Sequence, residues 1–218
     1  MLKNNERLDD LQINNMFVIQ NSEEYCFTSD AVALSNFAKV KPNDRVVDLC
    51  SGSGVIGILI QTKTDCKDIT LVEIQEYLAD MSRRSVEYNK QDKFIKVVNA
   101  PLQGIHKQIG LGEYSVVVCN PPYKDKGRLS EKPSIAMAKQ EVSVTLEEII
   151  LEASKLLKFG GRLYLVNREE RLTDILHYMR VYKIEPKILK ILPSSKGDSI
   201  ILVEGKKGGK SGLRLRLK

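Results

Sequence analysis

Short β-branched runs alternate along the chain with longer amphipathic stretches, and this alternation predicts an α/β fold with a mostly parallel sheet and helices on both faces. Strands are expected at Arg45 to Leu49, Ile69 to Glu73, Lys96 to Asn99, Ser115 to Cys119, Arg162 to Val166, Lys187 to Leu192 and Ser199 to Glu204, which makes seven. Several are apolar without alternation, as burial on both faces requires. A period of 3.6 residues predicts helices over about 29–39, 55–62, 76–89, 145–158 and 169–181. The fourth of these is the most sharply marked. Leu146, Ile149, Ile150, Ala153, Leu156 and Leu157 share one face, Thr145 with Glu148 makes a capping box, and Gly160-Gly161 supplies a left-handed stop.

Two segments break the alternation. Lys124 to Lys139 is polar, contains Gly127 and Pro133 and follows the fourth strand, so it reads as a long loop that folds over substrate. At the C-terminus, Gly208 to Gly212 precede an alternating Leu213-Arg214-Leu215-Arg216-Leu217-Lys218, which reads as a strand beginning where the sequence stops, as it would if further chain followed. The 218 residues suit one large domain, with a core over about 20–205 and a basic tail over 206–218.

Composition changes this picture mainly through charge. The net charge is +6, and Lys206, Lys207, Lys210, Arg214, Arg216 and Lys218, with no acid among them, account for all of it. Such a tail suits contact with phosphates; a solvated terminus is the plainer alternative. Apolar runs such as Val55 to Ile60 fall far short of the roughly 20 residues of a membrane span, and the polar start Met1 to Arg7 lacks a secretory apolar segment, so a cytoplasmic location is expected. Cys26, Cys50, Cys66 and Cys119 are scattered and only His106 and His177 accompany them, which argues against a disulfide framework or a metal site. Cys50 and Cys119 read as buried small hydrophobes and the histidines as ordinary core or surface residues, with no carboxylate partner evident.

The candidate chemistry lies at three points. Asp48-Leu49-Cys50-Ser51-Gly52-Ser53-Gly54 joins a strand to a helix, where glycines permit a tight turn and the helix start offers amide donors; Gly52, Gly54 and Gly57 also satisfy the dinucleotide fingerprint. Glu73, closing the second strand, is placed to accept hydrogen bonds from both hydroxyls of a ribose. Asn120-Pro121-Pro122-Tyr123 follows Val116 to Cys119 at the carboxyl end of the fourth strand. Its prolines fix the backbone, so that the Asn120 side-chain oxygen and the Pro121 carbonyl can accept hydrogens from a planar amine, and Tyr123 offers a stacking face.

Strand, glycine loop, ribose acid and this tetrapeptide, in this order, resemble the class I S-adenosylmethionine-dependent methyltransferases. The resemblance implies a Rossmann-like sheet of seven strands in the order 3-2-1-4-5-7-6 with the last antiparallel. It implies S-adenosylmethionine as cofactor, held by Asp48, Cys50, Gly52 and Gly54 in the loop, by Glu73 and by Asn120, and catalysis by Asn120, Pro121 and Tyr123. More narrowly, Phe27-Thr28-Ser29-Asp30-Ala31-Val32-Ala33-Leu34 resembles the amino-terminal motif of the bacterial tRNA adenine-N6 methyltransferases that modify valine tRNA beside its anticodon, as do Ala138 to Glu141 and Val203 to Lys210. That resemblance implies that Phe27, Thr28 and Asp30 lie near the cofactor, a helix cap with a core Phe being the competing reading. It also implies tRNA as partner, with the tail and the 124–139 loop as contacts. One departure stands out: Ala100 occupies the place where many class I enzymes carry an acid for the cofactor's adenine amine, which leaves Asn99 or a backbone carbonyl to substitute.

Four alternatives accompany this reading. A protein glutamine N5-methyltransferase acting on release factors would use the same tetrapeptide, but such enzymes usually carry a helical domain ahead of the first strand, where only about 44 residues stand here. DNA adenine methylation lacks an extra region to read target sequence. A nicotinamide oxidoreductase would leave Asn120 to Tyr123 without work. An RNA-binding module without turnover is kept open by Ala100 and the basic tail.

Overall fold

The computed structural model describes residues 2–23, 26–122, 144–193 and 199–216. Its strands are β1 (Glu6–Asp10), β2 (Phe17–Asn21), β3 (Arg45–Leu49), β4 (Asp68–Glu73), β5 (Ile95–Asn99), β6 (Tyr114–Cys119), β7 (Leu157–Arg168), β8 (Ile184–Leu192), β9 (Ile200–Lys207) and β10 (Arg214–Arg216). The α-helices are α1 (Ser29–Phe37), α2 (Val55–Thr64), α3 (Glu76–Tyr88), α4 (His106–Ile109), α5 (Leu146–Leu156) and α6 (Leu172–Val181). One sheet holds eight strands in the order β10-β8-β9-β7-β6-β3-β4-β5, with β9 antiparallel to both neighbours and the other pairs parallel. Removing β10 leaves the expected order of seven. The strand expected to begin within 213–218 is β10, and it corrects the count of the sheet to eight: Arg214 to Arg216 pair with Ile188 to Lys190 of β8.

Alternation along each strand divides the core in two. Val47, Leu49, Val117, Cys119, Leu163 and Leu165 meet α5 and α6 on one face, while Val46, Leu71, Val116, Val118 and Tyr164 meet α1 and α2 on the other. Both faces are therefore dry, which is why β3, β4 and β6 are nearly continuous in apolar residues. The capping box of α5 is formed, with Thr145 and Glu148 each bonding the other's backbone amide.

Three local expectations are corrected. Gly160-Gly161 does not stop α5, which ends at Leu156; both glycines lie inside β7. There Gly160 has φ +81°, and the register against β6 jumps from Tyr114–Leu157 to Val116–Arg162, so the pair forms an irregularity in a strand that starts early. The N-terminal hairpin β1–β2 was not foreseen, because mixed sequences such as ERLDD carry little strand signal. Five of the residues expected as a tail, 206, 207 and 214–216, belong to the sheet. Lys206 and Lys207 belong to β9, and the Lys207 ammonium donates to the carbonyls of Ser154 (2.5 Å) and Leu157 (2.8 Å) at the end of α5.

The hairpin is fastened to α3. The Ile19 amide donates to Ser85 Oγ and the Phe17 amide to Asn89 Oδ1, both at 2.9 Å, and the Arg84 guanidinium forks onto the Glu6 carboxylate at 2.7 Å on each arm. Ile19 packs with Leu78 and Met81 beneath it.

Candidate active site

The register brings the sequence motifs to one edge. Leu49 pairs with Val72 on one side and Cys119 on the other, so the next residues, Cys50, Glu73 and Asn120, form a row at the carboxyl ends of β3, β4 and β6. Glu73 pairs in turn with Asn99, which extends the row to β5. Asn120 is half-buried, Pro121 buried and Pro122 exposed; Tyr123 and the 124–139 loop lie outside the described residues.

The glycine loop is held by the protein itself. Gly52 N–H donates to Glu73 Oε2 at 2.9 Å, Ser51 N–H to the Val72 carbonyl and Gly54 N–H to the Ser51 carbonyl, both at 3.0 Å. The expectation of free amide donors is thus corrected for these three residues, and the Gly52 amide that a pyrophosphate would use already faces a carboxylate. Gly52 and Gly54 have φ +57° and +84°. A Cβ at Gly54 would stand 2.4 Å from Ser82 Oγ, whereas one at Gly52 would meet nothing within 4 Å. Gly54 is therefore required by packing and Gly52 by backbone conformation at the open side of the turn. Cys50, with φ +57° and no glycine's freedom, carries strain of about 1–2 kcal/mol. It lies half-buried beside fully buried Cys119, whose thiol is pushed well up by burial and by contact with Cys50.

The two acids behave differently. Glu73 is 5% exposed, and its Oε1 accepts from Gln75 N–H while Oε2 accepts from Gly52 N–H. Burial raises its pKa, and those amides oppose the rise. Asp48 is fully buried on the α2 face, two residues below the row, and neither carboxylate oxygen has a hydrogen-bond partner. Burial raises its pKa strongly, the charge of Glu73 adds to this, and the Gly57 amide opposes it without reaching hydrogen-bond geometry. Asp48 therefore underlies the loop, and Glu73 is the acid at the edge.

Asn99 is exposed, and its side-chain amide donates to the carbonyls of Glu73 and Ile74, both at 2.9 Å. With its donors so engaged, the side-chain oxygen is the group it can turn to an adenine amine. Ala100 follows with its N–H on the Glu73 carbonyl. Thr28 stands at the N-cap of α1 but makes no side-chain cap bond; Phe27 packs partly into the core; Asp30 lies in the first turn.

One residue not foreseen ties these parts together. Gln20, fully buried at the end of β2, accepts from Phe27 N–H (2.9 Å) and donates to Ser53 Oγ (2.5 Å) and to its neighbour's carbonyl. It links the hairpin, the segment entering α1 and the glycine loop. A polar residue closing the run FVIQ is the trace it leaves in the sequence. His106 is corrected too: its Nδ1 lies 2.7 Å from Glu152 Oε2 on α5, a partner 46 residues away, and Lys155 holds the other oxygen at 2.9 Å. Although burial alone would raise Glu152, these two contacts hold it below the ordinary carboxylate value.

S-adenosylmethionine fits the described site: a buried, amide-anchored carboxylate for its ribose, an Asn oxygen beside the second edge, and an open side at Gly52. Among the described residues no group of His, Cys, Asp or Glu could hold a metal, and no helix is long and apolar enough to cross a membrane.

Known proteins share this fold. A predicted O-methyltransferase from Agrobacterium tumefaciens superposes with a TM-score of 0.66 at 24% identity, covering 86% of this chain and 85% of that one. P. horikoshii TYW2 in complex with MeSAdo gives 0.67 at 14% identity, covering 96% and 74%. Among curated proteins, the tRNA1(Val) (adenine(37)-N6)-methyltransferase of Porphyromonas gingivalis is 24% identical over 162 residues, 72% of this chain and 64% of its own length. That of Shewanella amazonensis is 31% identical over 118 residues, 54% and 49%. The chain thus spans about half to two thirds of the curated relatives it matches. The model of the methyltransferase small domain matches residues 28–180, from the Thr28 cap through the glycine loop, Glu73 and Asn120 to α6, and the chain belongs to that family.

Proposed function

We propose that the protein transfers a methyl group from S-adenosylmethionine to the N6 amine of an adenine in RNA, the adenine on the 3′ side of the anticodon of a valine tRNA. The observation that supports this reading is the row of Glu73, Cys50 and Asn120 on adjacent strands, which would hold an amine at the turn and a ribose at the acid on one edge of the sheet. The names of the relatives support the choice of tRNA.

The bound cofactor supplies an electrophilic methyl on a sulfonium. Glu73 accepts from the ribose hydroxyls through lone pairs its two amide bonds leave available, and those bonds keep the carboxylate from rotating. Asn99 accepts from the cofactor's adenine amine in place of the acid absent at Ala100. Phe27, Thr28 and Asp30 flank the cofactor from the start of α1, and Asp48 acts through the loop it supports. At the turn, the Asn120 oxygen and the Pro121 carbonyl accept the two hydrogens of the substrate amine. That geometry draws the nitrogen lone pair out of conjugation with the ring and toward the methyl group, and rigid placement removes the entropic cost of aligning them. Tyr123 stacks on the base.

The test is transfer of labelled methyl from S-adenosylmethionine to tRNA, with release factor protein and DNA in parallel, followed by nucleoside analysis. Label in N6-methyladenosine of tRNA is expected. Label in glutamine of the protein substrate, with none in tRNA, would replace this reading by the amide methyltransferase.

A further inference from the structure

The far edge of the sheet carries a groove away from the row of Glu73 and Asn120. On the face shared with α1, that helix packs over β7 and β9, while the helix packed on β8 is α6, whose core residues belong to the opposite face. A groove of about 370 Å³ runs between the flank of α1 and the uncovered β8–β10 surface. Asn36, Phe37 and Lys39 form one wall, Lys190 and Leu202 the floor, and Arg216 the rim.

Its charge is one-sided. Lys190 and Arg216 are register partners on neighbouring strands, so two cations stand side by side on one face, an arrangement that costs a sheet stability. Lys39 adds a third, and no acid lines the groove. Glu204, two residues beyond Leu202 on β9, is buried and exerts its charge on Arg162 and Tyr164. Among the described residues, none of the three cations makes an ion pair. The groove also points to the reacting edge. Lys190 pairs with Leu202, and Leu202 with Val166, in a row one residue beyond Leu165 and Cys119, so it stands level with Asn120.

We infer that this groove seats the phosphodiester backbone of the substrate RNA, with Lys39, Lys190 and Arg216 contacting phosphates and Asn36 supplying a hydrogen bond. The inference rests on the RNA reading above and assigns the contact to a preformed surface between α1 and the sheet, where the sequence pointed to a basic tail and the 124–139 loop. Such contacts carry little sequence information, but they orient the RNA so that an extruded base reaches the Asn120 turn. The uncompensated cations are what a polyanion relieves, and counterion release makes the binding steeply dependent on salt.

The experiment measures binding of unmodified valine tRNA by fluorescence anisotropy from about 50 to 200 mM salt, with steady-state methyl transfer alongside. The groove variant combines Lys39→Gln, Lys190→Gln and Arg216→Gln. A control variant removes the same charge at the opposite edge of the sheet through Lys93→Gln, Lys96→Gln and Lys107→Gln. The groove variant should bind tRNA roughly 10- to 100-fold more weakly, with a salt slope shallower by about two units. KM for tRNA should rise while kcat and calorimetric affinity for S-adenosylmethionine stay unchanged, and exchanging each of the three for the other basic residue should restore binding. Equal losses in the control variant would reduce the effect to net charge and overturn the groove. A groove variant that keeps its affinity and slope while the parent methylates tRNA overturns the groove alone. A parent that neither binds nor methylates tRNA removes the RNA reading, and the groove with it.

Discussion

The two halves of the sheet, on either side of β6, carry opposite charge at the same edge. Toward β4 stand the Glu73 carboxylate and, beneath it, the Asp48 carboxyl on which burial favours a proton, both within the dry interior; toward β10 stand Lys190 and Arg216 without an acid to meet them. Each half tolerates what a folded chain ordinarily avoids, a buried acid on one side and unpaired cations on the other, and Glu73, Lys190 and Arg216 stand level with Asn120. The anionic half suits a ligand that offers hydroxyl and amine hydrogens, and the cationic half suits one that offers phosphates. A methyl donor and a nucleic acid differ in this way, so the asymmetry is what the two proposed ligands would need on opposite sides of the turn.

The largest expected effect lies at the boundary itself. Asn120→Ala should lower kcat by about 10²- to 10³-fold, as removal of one preorganised hydrogen-bonding group commonly does. Calorimetric affinity for S-adenosylmethionine should change little. Turnover equal to that of the parent would show that the turn does not hold the amine.

Glu73→Ala attacks the anionic half. It removes an acceptor for two ribose hydroxyls and leaves the Gly52 and Gln75 amides without their partner. Bonds to a charged group are worth about 1.5–3 kcal/mol each, so cofactor affinity should fall by roughly 100-fold. The groove should be untouched, and tRNA binding in the absence of cofactor should keep its salt slope. A lost slope would mean that the two halves are coupled through the loop.

How much of this was legible follows from where the information sits. The strands of the anionic half are short, continuous apolar runs that end in glycines, an acid or Pro-Pro, so local sequence specifies both the element and its terminus. The cationic half depends on pairing between distant segments. Lys206 and Lys207 look like the start of a solvated tail until β9 is seen to extend through them, and Arg216 has no neighbour until β10 meets β8. Gly160-Gly161 followed a helical period and read as its stop, but early pairing of Leu157 with Tyr114 had already begun the strand. Gln20 and the His106–Glu152 contact were hidden for the same reason, since each joins residues that only folding brings together.

A finer dissection separates the two loop glycines. Gly54→Ala places a methyl against Ser82 Oγ and Leu71 in a left-handed backbone, and should destabilise the protein by roughly 2–3 kcal/mol in chemical denaturation. Gly52→Ala meets no neighbour, so conformational strain of about 1–2 kcal/mol is its whole cost to folding. Its methyl nevertheless stands at the open side of the loop, and the affinity for S-adenosylmethionine should fall more than tenfold. A Gly52→Ala protein that binds the cofactor normally would place the ligand elsewhere along the edge.

The smallest effect tests why an unpaired acid persists beneath the loop. Burial holds the Asp48 carboxyl well above its ordinary value of 3.8, so the folded state keeps a proton that the unfolded chain releases. Stability is then greatest below the unfolded pKa and declines as pH rises toward the folded one, by at most about 1.4 kcal/mol per pH unit from this group. Asp48→Asn cannot ionise and removes that slope. Its melting temperature should match or fall slightly below the parent's near pH 4 and exceed it increasingly as the pH rises above the unfolded value. Glu73, also raised by burial, gives both proteins a slope of the same sign, so the difference between the two curves isolates Asp48. Parallel curves would mean that Asp48 ionises as freely in the folded protein as outside it. A diverging pair would show that the anionic half costs the fold stability, as the facing cations of β8 and β10 do at the other edge.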